Sequence, residues 1–221
     1  MIDREFYLYR LYPFQDQVLH ALSLVDTGFY LTGGTALSRG YLNHRFSDDL
    51  DFFTNDNNNF VLWADRAIQQ LALSPDWSTQ VLLREERYVR INLALSDINL
   101  KIELVNDVPS RVGQPWLHSV LGRIDTAENI LANKVTAVLD RSEPKDLADI
   151  WGLCFQKGLS LGDAITGAQG KAVGVFPVDL ARALCSSTHS DWEAVRWVNP
   201  PDPDQFVVQL NELGKSLIFP G

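Results

Sequence analysis

Apolar residues recur at helical spacing over Pro13–Val25, where Phe14, Val18, Ala21, Leu22 and Val25 share one face and a proline stands near the start, which predicts a first helix. The pattern then shortens. Phe29–Thr32 is an apolar run broken by Gly33-Gly34 and predicts a short buried strand, with a short helix over Thr35–Leu42 opening at the glycine pair. Asp49–Phe53 predicts a second strand, Asn55–Asn59 a polar loop and Phe60–Leu73 an amphipathic helix. Three stretches rich in Val, Ile and Leu follow with period-2 alternation: Thr79–Arg84, Tyr88–Leu95 and Ile98–Val105, with a hairpin turn expected at Ser96-Asp97. Beyond Asp107-Val108-Pro109 the helical period takes over. Thr126–Leu139, Lys145–Gln156, Val178–Cys185 and Gln205–Leu217 predict helices, the last entered through Asn199-Pro200-Pro201-Asp202-Pro203. The expected architecture is α/β, a mixed β-sheet with flanking helices over residues 1–109 and a helical C-terminal half over 110–221 packed on it.

The composition, 46% hydrophobic and 21% charged, is that of a globular protein and excludes a disordered chain. No apolar run approaches the roughly 20 residues that a membrane span needs. The N-terminal Met1-Ile2-Asp3-Arg4-Glu5 lacks a basic-then-apolar leader, so a cytoplasmic enzyme is the expectation. A net charge of −9 excludes binding nucleic acid through a broad cationic surface and leaves room only for a local basic pocket. The two cysteines, Cys154 and Cys185, cannot build a four-ligand zinc site and are expected as buried small hydrophobes. His20, His44, His118 and His189 show no metal spacing. Asn55, Asn57 and Asn59 imitate the start of a calcium loop, but Phe60 stands where glycine is required and Arg66 where the bidentate Glu belongs.

Three short elements carry chemistry. In Leu31-Thr32-Gly33-Gly34-Thr35-Ala36-Leu37, a strand running through two glycines into a helix turns backbone N–H groups outward, where they suit a phosphate, and Thr35 adds a hydroxyl. Such a pair is more often a plain tight turn, and neither Gly-x-Gly-x-x-Gly nor Gly-Lys-Ser/Thr is present. In Arg45-Phe46-Ser47-Asp48-Asp49-Leu50-Asp51-Phe52, alternation projects Asp49 and Asp51 to one face, an arrangement that suits Mg²⁺ completed by waters and substrate phosphates. In Asn99-Leu100-Lys101-Ile102-Glu103-Leu104, Glu103 becomes a third carboxylate and Lys101 comes within reach of a phosphate if the strand lies beside Asp49–Asp51. Each alone also fits a solvated strand face. Together they are what metal-dependent nucleotidyl transfer needs, with metals clamping the attacking and leaving oxygens.

The block Gly33-Gly34-Thr35-Ala36-Leu37, followed by His44-Arg45-x-Ser47-x-Asp49-Leu50-Asp51-Phe52, resembles the first motif of the AbiEii/AbiGii-type nucleotidyltransferase toxins, within the DNA polymerase β-like nucleotidyltransferase superfamily. A second block, Glu128-Asn129-Ile130-Leu131-Ala132-Asn133-Lys134, then Arg141, then Pro144-Lys145-Asp146-Leu147-Ala148-Asp149-Ile150, is similar to the family's lysine-bearing helix, arginine and basic-Asp-x-x-Asp stretch. The resemblance covers about Phe29 to Trp151 and implies a nucleotidyltransferase-type sheet. It implies that Gly33, Gly34 and Thr35 hold a nucleoside triphosphate, with Arg45, Ser47, Lys101 and Lys145 contributing to nucleotide binding. Asp49 and Asp51 would bind Mg²⁺, Glu103 would complete the acidic trio and help deprotonate the attacking hydroxyl, Lys134 would neutralise triphosphate charge, and Asp146 would lie near the nucleotide or acceptor. It further implies a cognate antitoxin partner and a tRNA acceptor. Glu103 stands where Asp is commoner, and the acidic balance sits awkwardly with tRNA. A small-molecule acceptor, or an interaction module that keeps the fold without catalysis, are the alternatives. Read from spacing alone, Lys134 lies at the edge of an apolar helix face, snorkelling or pointing into a cleft, and Asp146 and Asp149 fit either a helix's first turn or a site.

Overall fold

The computed structural model describes residues 4–141, 143–172 and 174–218, so the part of the leader expectation that falls on Met1, Ile2 and Asp3 lies outside the described residues. The chain divides into two compact units that interleave along the sequence. The first comprises Met1–Ala36, Ser47–Pro109 and Pro115–Asp125, the second Leu37–Phe46, Ser110–Gln114 and Thr126–Gly221. The boundary near Pro109 is thus one of several, since residues 37–46 group with the later helices and residues 115–125 with the sheet.

Seven strands of the first unit form one mixed sheet: β1 (Tyr30–Thr32), β2 (Leu50–Asn55), β3 (Ser78–Arg84), β4 (Tyr88–Leu95), β5 (Ile98–Asp107), β6 (Trp116–His118) and β7 (Gly122–Ile124), in the order β3-β4-β5-β2-β1-β7-β6. β2 runs parallel to β5 and β1 parallel to β7, and the remaining pairs are antiparallel. Alternation explains the register. Leu31, Phe52, Leu104 and Val89 are cross-strand partners across β1, β2, β5 and β4, and all are buried. A slip of one residue in any of these strands would turn that apolar row to the polar face, so the burial of one face sets the position of every residue on the other. The helices α1 (Tyr12–Ser23) and α3 (Phe60–Ala72) pack on one another, with Phe14, Val18, Ala64 and Leu71 buried. The short helix α2 (Gly33–Leu37) continues into a wider helical turn over Ser38–Leu42.

In the second unit, α4 (Ala127–Arg141) packs on α5 (Pro144–Trp151), α6 (Leu161–Gln169) and α7 (Pro177–Cys185), while α9 (Pro203–Ser216) packs on α7 and on α8 (His189–Ala194). Trp151, Trp197 and Phe206 form its aromatic centre, with ring centroids 5.6–6.1 Å apart. The segment after Trp151, beyond the motifs quoted above, therefore completes a core through Trp197 and Phe206. Cys154 and Cys185 are half-buried rather than fully so, and burial pushes the Cys154 thiol up to about 12, which makes it a poor nucleophile.

Candidate active site

The polar face of the sheet is built by the register that buries its other face. Thr32 of β1, Asp51 of β2, Glu103 of β5 and Arg90 of β4 lie in one cross-strand row. Asp49 precedes β2 by one residue, and Lys101 lies two residues before Glu103 on the same strand. Asp49, Asp51 and Glu103 are thereby gathered on neighbouring strands of one unit.

Gly33 closes β1 against that row. Its φ of +65° is a left-handed conformation, and a Cβ built there would stand 2.3 Å from the Asp51 carboxylate. Only glycine brings the backbone this close to the acid, so the turn and the carboxylate form one surface. The side chains of Thr35 and Ser47 bond within the protein. Thr35 is fully buried, and its hydroxyl lies 2.5 Å from the Asp49 carbonyl oxygen and 3.0 Å from Ser47 Oγ. The segment between Ser47 and Asp49 is held further by Gln15, whose Nε2 donates to the Ser47 and Asp48 carbonyls, by Tyr7, whose hydroxyl donates to Asp48, and by Tyr12, which accepts from the Ser47 amide. The Thr35 hydroxyl and Ser47 Oγ clamp the loop that presents Asp49. Gln15 is the residue that spacing could not reveal. It is a polar side chain, fully buried on the packed side of an amphipathic helix, and its role depends on a loop more than thirty residues away.

The carboxylates are compensated from within the sheet. Lys101 Nζ lies 2.9 Å from Asp49 Oδ2 and 3.4 Å from Glu103 Oε1. Glu103 Oε1 also accepts from the Tyr88 hydroxyl at 2.6 Å and from Arg90 at 3.1 Å. Partial burial works to raise the Glu103 pKa, but the Tyr88 hydrogen bond and the Lys101 and Arg90 charges outweigh it and leave the carboxyl below its ordinary range. Burial likewise opposes the Lys101 charge, and Asp49 with Glu103 more than restores it. Both groups are ionised at neutral pH. Among the described residues no three acidic, His or Cys side chains are disposed to hold a metal by themselves. The donor set still fits a hard divalent cation, because two carboxylates beside a backbone turn supply only part of a coordination shell, and such ions take the rest from water and phosphate.

Arg45, Lys134, Asp146 and Lys145 belong to the second unit. Asp149, wholly buried on α5, accepts from Arg45 Nε at 2.7 Å, from Arg45 Nη2 at 2.7 Å and from His44 Nε2 at 2.8 Å, and pairs with Lys134 Nζ at 2.7 Å. Lys134 also donates to Asp146 at 2.8 Å, and Asp146 takes a fork from Arg141 at 2.8 and 3.0 Å. The Lys134 ammonium, expected at a triphosphate, is thus committed to two carboxylates, and Arg45 is committed to Asp149. The reason is desolvation: a buried ion must be paired or its charge is lost. Lys145 is half-exposed and pairs with Glu143 at 2.8 Å. His44 and Asp149, which spacing left without a partner, are the residues that tie this network together.

Burial dominates at Asp149 and Asp146 and would raise both, yet Arg45 and Lys134 at the first, and Arg141 and Lys134 at the second, hold their carboxyls down. Burial lowers His44 below 6.5 and outweighs the attraction of Asp149, so the ring is neutral, Nε2–H donates to Asp149 and the buried Nδ1 has no partner among the described residues. A depressed folded-state pKa means that the unfolded chain takes up the proton first, so stability is present above the unfolded value and lost as pH falls. His44 therefore removes stability as pH drops below 6.5, and Asp146 and Asp149 remove more below 3.8. We predict a thermal midpoint that declines from pH 7 to pH 5, and a flatter profile over that interval in His44→Gln. An equal slope in the variant would show that another group is responsible.

Comparison with known proteins identifies the family of the chain. A family model described as nucleotidyl transferase AbiEii toxin, Type IV TA system, matches residues 17–165. The uncharacterised protein aq_aa25 of Aquifex aeolicus is 30% identical over 139 residues, 60% of this chain and 61% of that protein, so the match spans about three-fifths of the curated relative. Among solved structures, JHP933 from Helicobacter pylori superposes with a TM-score of 0.64 at 22% identity, covering 95% of this chain and 93% of that one. MenT4, a nucleotidyltransferase toxin from Mycobacterium tuberculosis, does so with a TM-score of 0.62 at 18% identity, covering 94% and 82%. The structural likeness shows a shared nucleotidyltransferase fold. The family match, which begins within α1 and ends within α6, goes further: the chain belongs to the AbiEii family of nucleotidyl transferase toxins.

Proposed function

We propose that this chain is a Mg²⁺-dependent nucleotidyltransferase of the cytoplasm, the toxin of a toxin–antitoxin pair, which moves a nucleoside monophosphate from a nucleoside triphosphate to a hydroxyl of an acceptor such as tRNA. The observation that carries this reading is the packing of the Gly33 turn against Asp51 with Glu103 directly across the strand pair. A backbone that approaches a carboxylate this closely sets a phosphate cradle beside a cation-binding acid. Mg²⁺ bound there would supply charge neutralisation for the triphosphate and the leaving pyrophosphate.

The chain's own residues do the rest. Gly33 and Gly34 bind the triphosphate through backbone N–H groups, and Asp49 and Asp51 are the cation ligands. Lys101 faces the phosphates from β5. In the transfer the acceptor oxygen bonds to the α-phosphorus, the bond to the bridging oxygen of the β-phosphate breaks, and pyrophosphate leaves with its electron pair. In this reading Glu103 takes the hydroxyl proton. Its three donors make it a weak base, so most of the acceleration falls to positioning and electrostatics rather than to proton abstraction. The buried network of Lys134, Asp146 and Asp149 acts by holding the second unit's helices in register.

Two outcomes test this reading. Asp51→Asn should lower transfer by at least about a hundredfold, measured as radiolabelled nucleotide incorporated into total RNA, with little change in thermal midpoint. Transfer at the parent rate would misplace the cation site, and label absent from RNA but present on small alcohols would replace the acceptor. Gly33→Ala, strained by about 1–2 kcal/mol at positive φ and pressed onto Asp51, should lose most calorimetric affinity for a non-hydrolysable triphosphate. Undiminished affinity would place the phosphates elsewhere.

A further inference from the structure

The charge arrangement around Asp49 supports one step beyond this reading, and rests on it. Asp49 has one ion-pair partner among the described residues, Lys101, at 2.9 Å. Glu103 is provided differently. Besides Lys101 at 3.4 Å it keeps the Tyr88 hydroxyl at 2.6 Å and Arg90 at 3.1 Å, so it stays fully compensated if the lysine leaves. The lysine is also built to leave. Leu100 and Ile102 on either side of it are wholly buried and fix the backbone of β5, while the Lys101 side chain is 37% exposed, and its long stem can swing the ammonium about that fixed point. A divalent cation held by Asp49 and Asp51 competes for the carboxylate that Lys101 now neutralises through Oδ2, and it repels that ammonium.

We propose that Lys101 is an exchangeable counter-ion: it neutralises Asp49 in the nucleotide-free site, is displaced when a divalent cation takes that carboxylate, and moves onto a phosphate oxygen of the incoming nucleotide. One ammonium thus serves two anions in turn. The cation competes with it for Asp49 when it arrives alone, and that competition is relieved when a triphosphate arrives with it. Metal and nucleotide binding become cooperative through a side chain that ligates no metal, which makes Lys101 a positioning residue for the cation and a ligand for the phosphate.

The test titrates Mn²⁺ alone into the full chain at a fixed neutral pH, following free Mn²⁺ by electron paramagnetic resonance, and repeats it with a non-hydrolysable triphosphate present. Lys101→Met keeps the stem and removes the charge. Lys101→Gln is carried in parallel, and both are checked by circular dichroism melting. The proposal expects either folded variant to bind Mn²⁺ alone at least about tenfold more tightly than the parent. It also expects the gain in Mn²⁺ affinity on adding triphosphate to shrink, and the apparent triphosphate affinity to fall. Unchanged or weaker Mn²⁺ binding in both variants, where Asp51→Asn still abolishes binding, overturns the displacement and leaves the cation site standing. Absence of Mn²⁺ binding in the parent and in every variant, with or without triphosphate, overturns the cation site itself and this role with it.

Discussion

Placing carboxylates on adjacent strands of a sheet costs free energy, because like charges at that spacing repel and half-burial strengthens the repulsion. In this protein the cost is imposed by packing on the opposite face. Leu50, Phe52, Ile102 and Leu104 are buried, and the parallel register of β2 on β5 that buries them sets Asp51 opposite Glu103. That juxtaposition is met by cations brought to the same face, Lys101 and Arg90, and by the Tyr88 hydroxyl. The Gly33 turn lies against this acidic row, which is the basis for proposing that the row takes an additional cation.

The second unit meets the same electrostatic demand in the opposite way. Asp146 and Asp149 are removed from water and surrounded by fixed donors, with Arg45 and Lys134 themselves buried. Every bond in that cluster is short, and each charge has a partner that cannot move without stranding another. Desolvation consumes most of the attraction in such a network, so it adds little net stability while removal of one partner strands the others. The contrast separates two clusters that motif order alone lists together: a half-exposed one on the sheet and a largely buried one among the helices.

Much of this was legible in the chain. Period-2 alternation gave Tyr88–Leu95 to the residue and put Asp49 and Asp51 on one face, while Glu103 joined them only on the condition that its strand lay beside theirs, which the β2–β5 pairing meets. Apolar periodicity found α3, α4 and α9 to within a few residues. What escaped was either too short or too distant. β6 and β7, three residues each, show no period, and α6 and α8 announce themselves only by Ser160 and Thr188, whose hydroxyls accept from the amides of Asp163 and Asp191. Side-chain destinations escaped for a different reason. Thr35, Arg45 and Lys134 carry the right chemistry for a phosphate, but whether a hydroxyl or a cation faces a ligand or a buried partner depends on groups such as Asp149, more than a hundred residues from Arg45.

The central claim is that the glycine turn and the acidic row of the sheet receive metal and triphosphate together. Paramagnetic broadening of backbone amide signals in isotope-labelled protein, produced by substoichiometric Mn²⁺ with a non-hydrolysable triphosphate, reads that location directly. The account predicts that Gly33, Gly34, Asp51 and Glu103 broaden first, while Val81 and Leu83 on the edge strand β3 stay sharp. Broadening centred on Lys134, Asp146 and Asp149, with Gly33 and Asp51 unaffected, would contradict it.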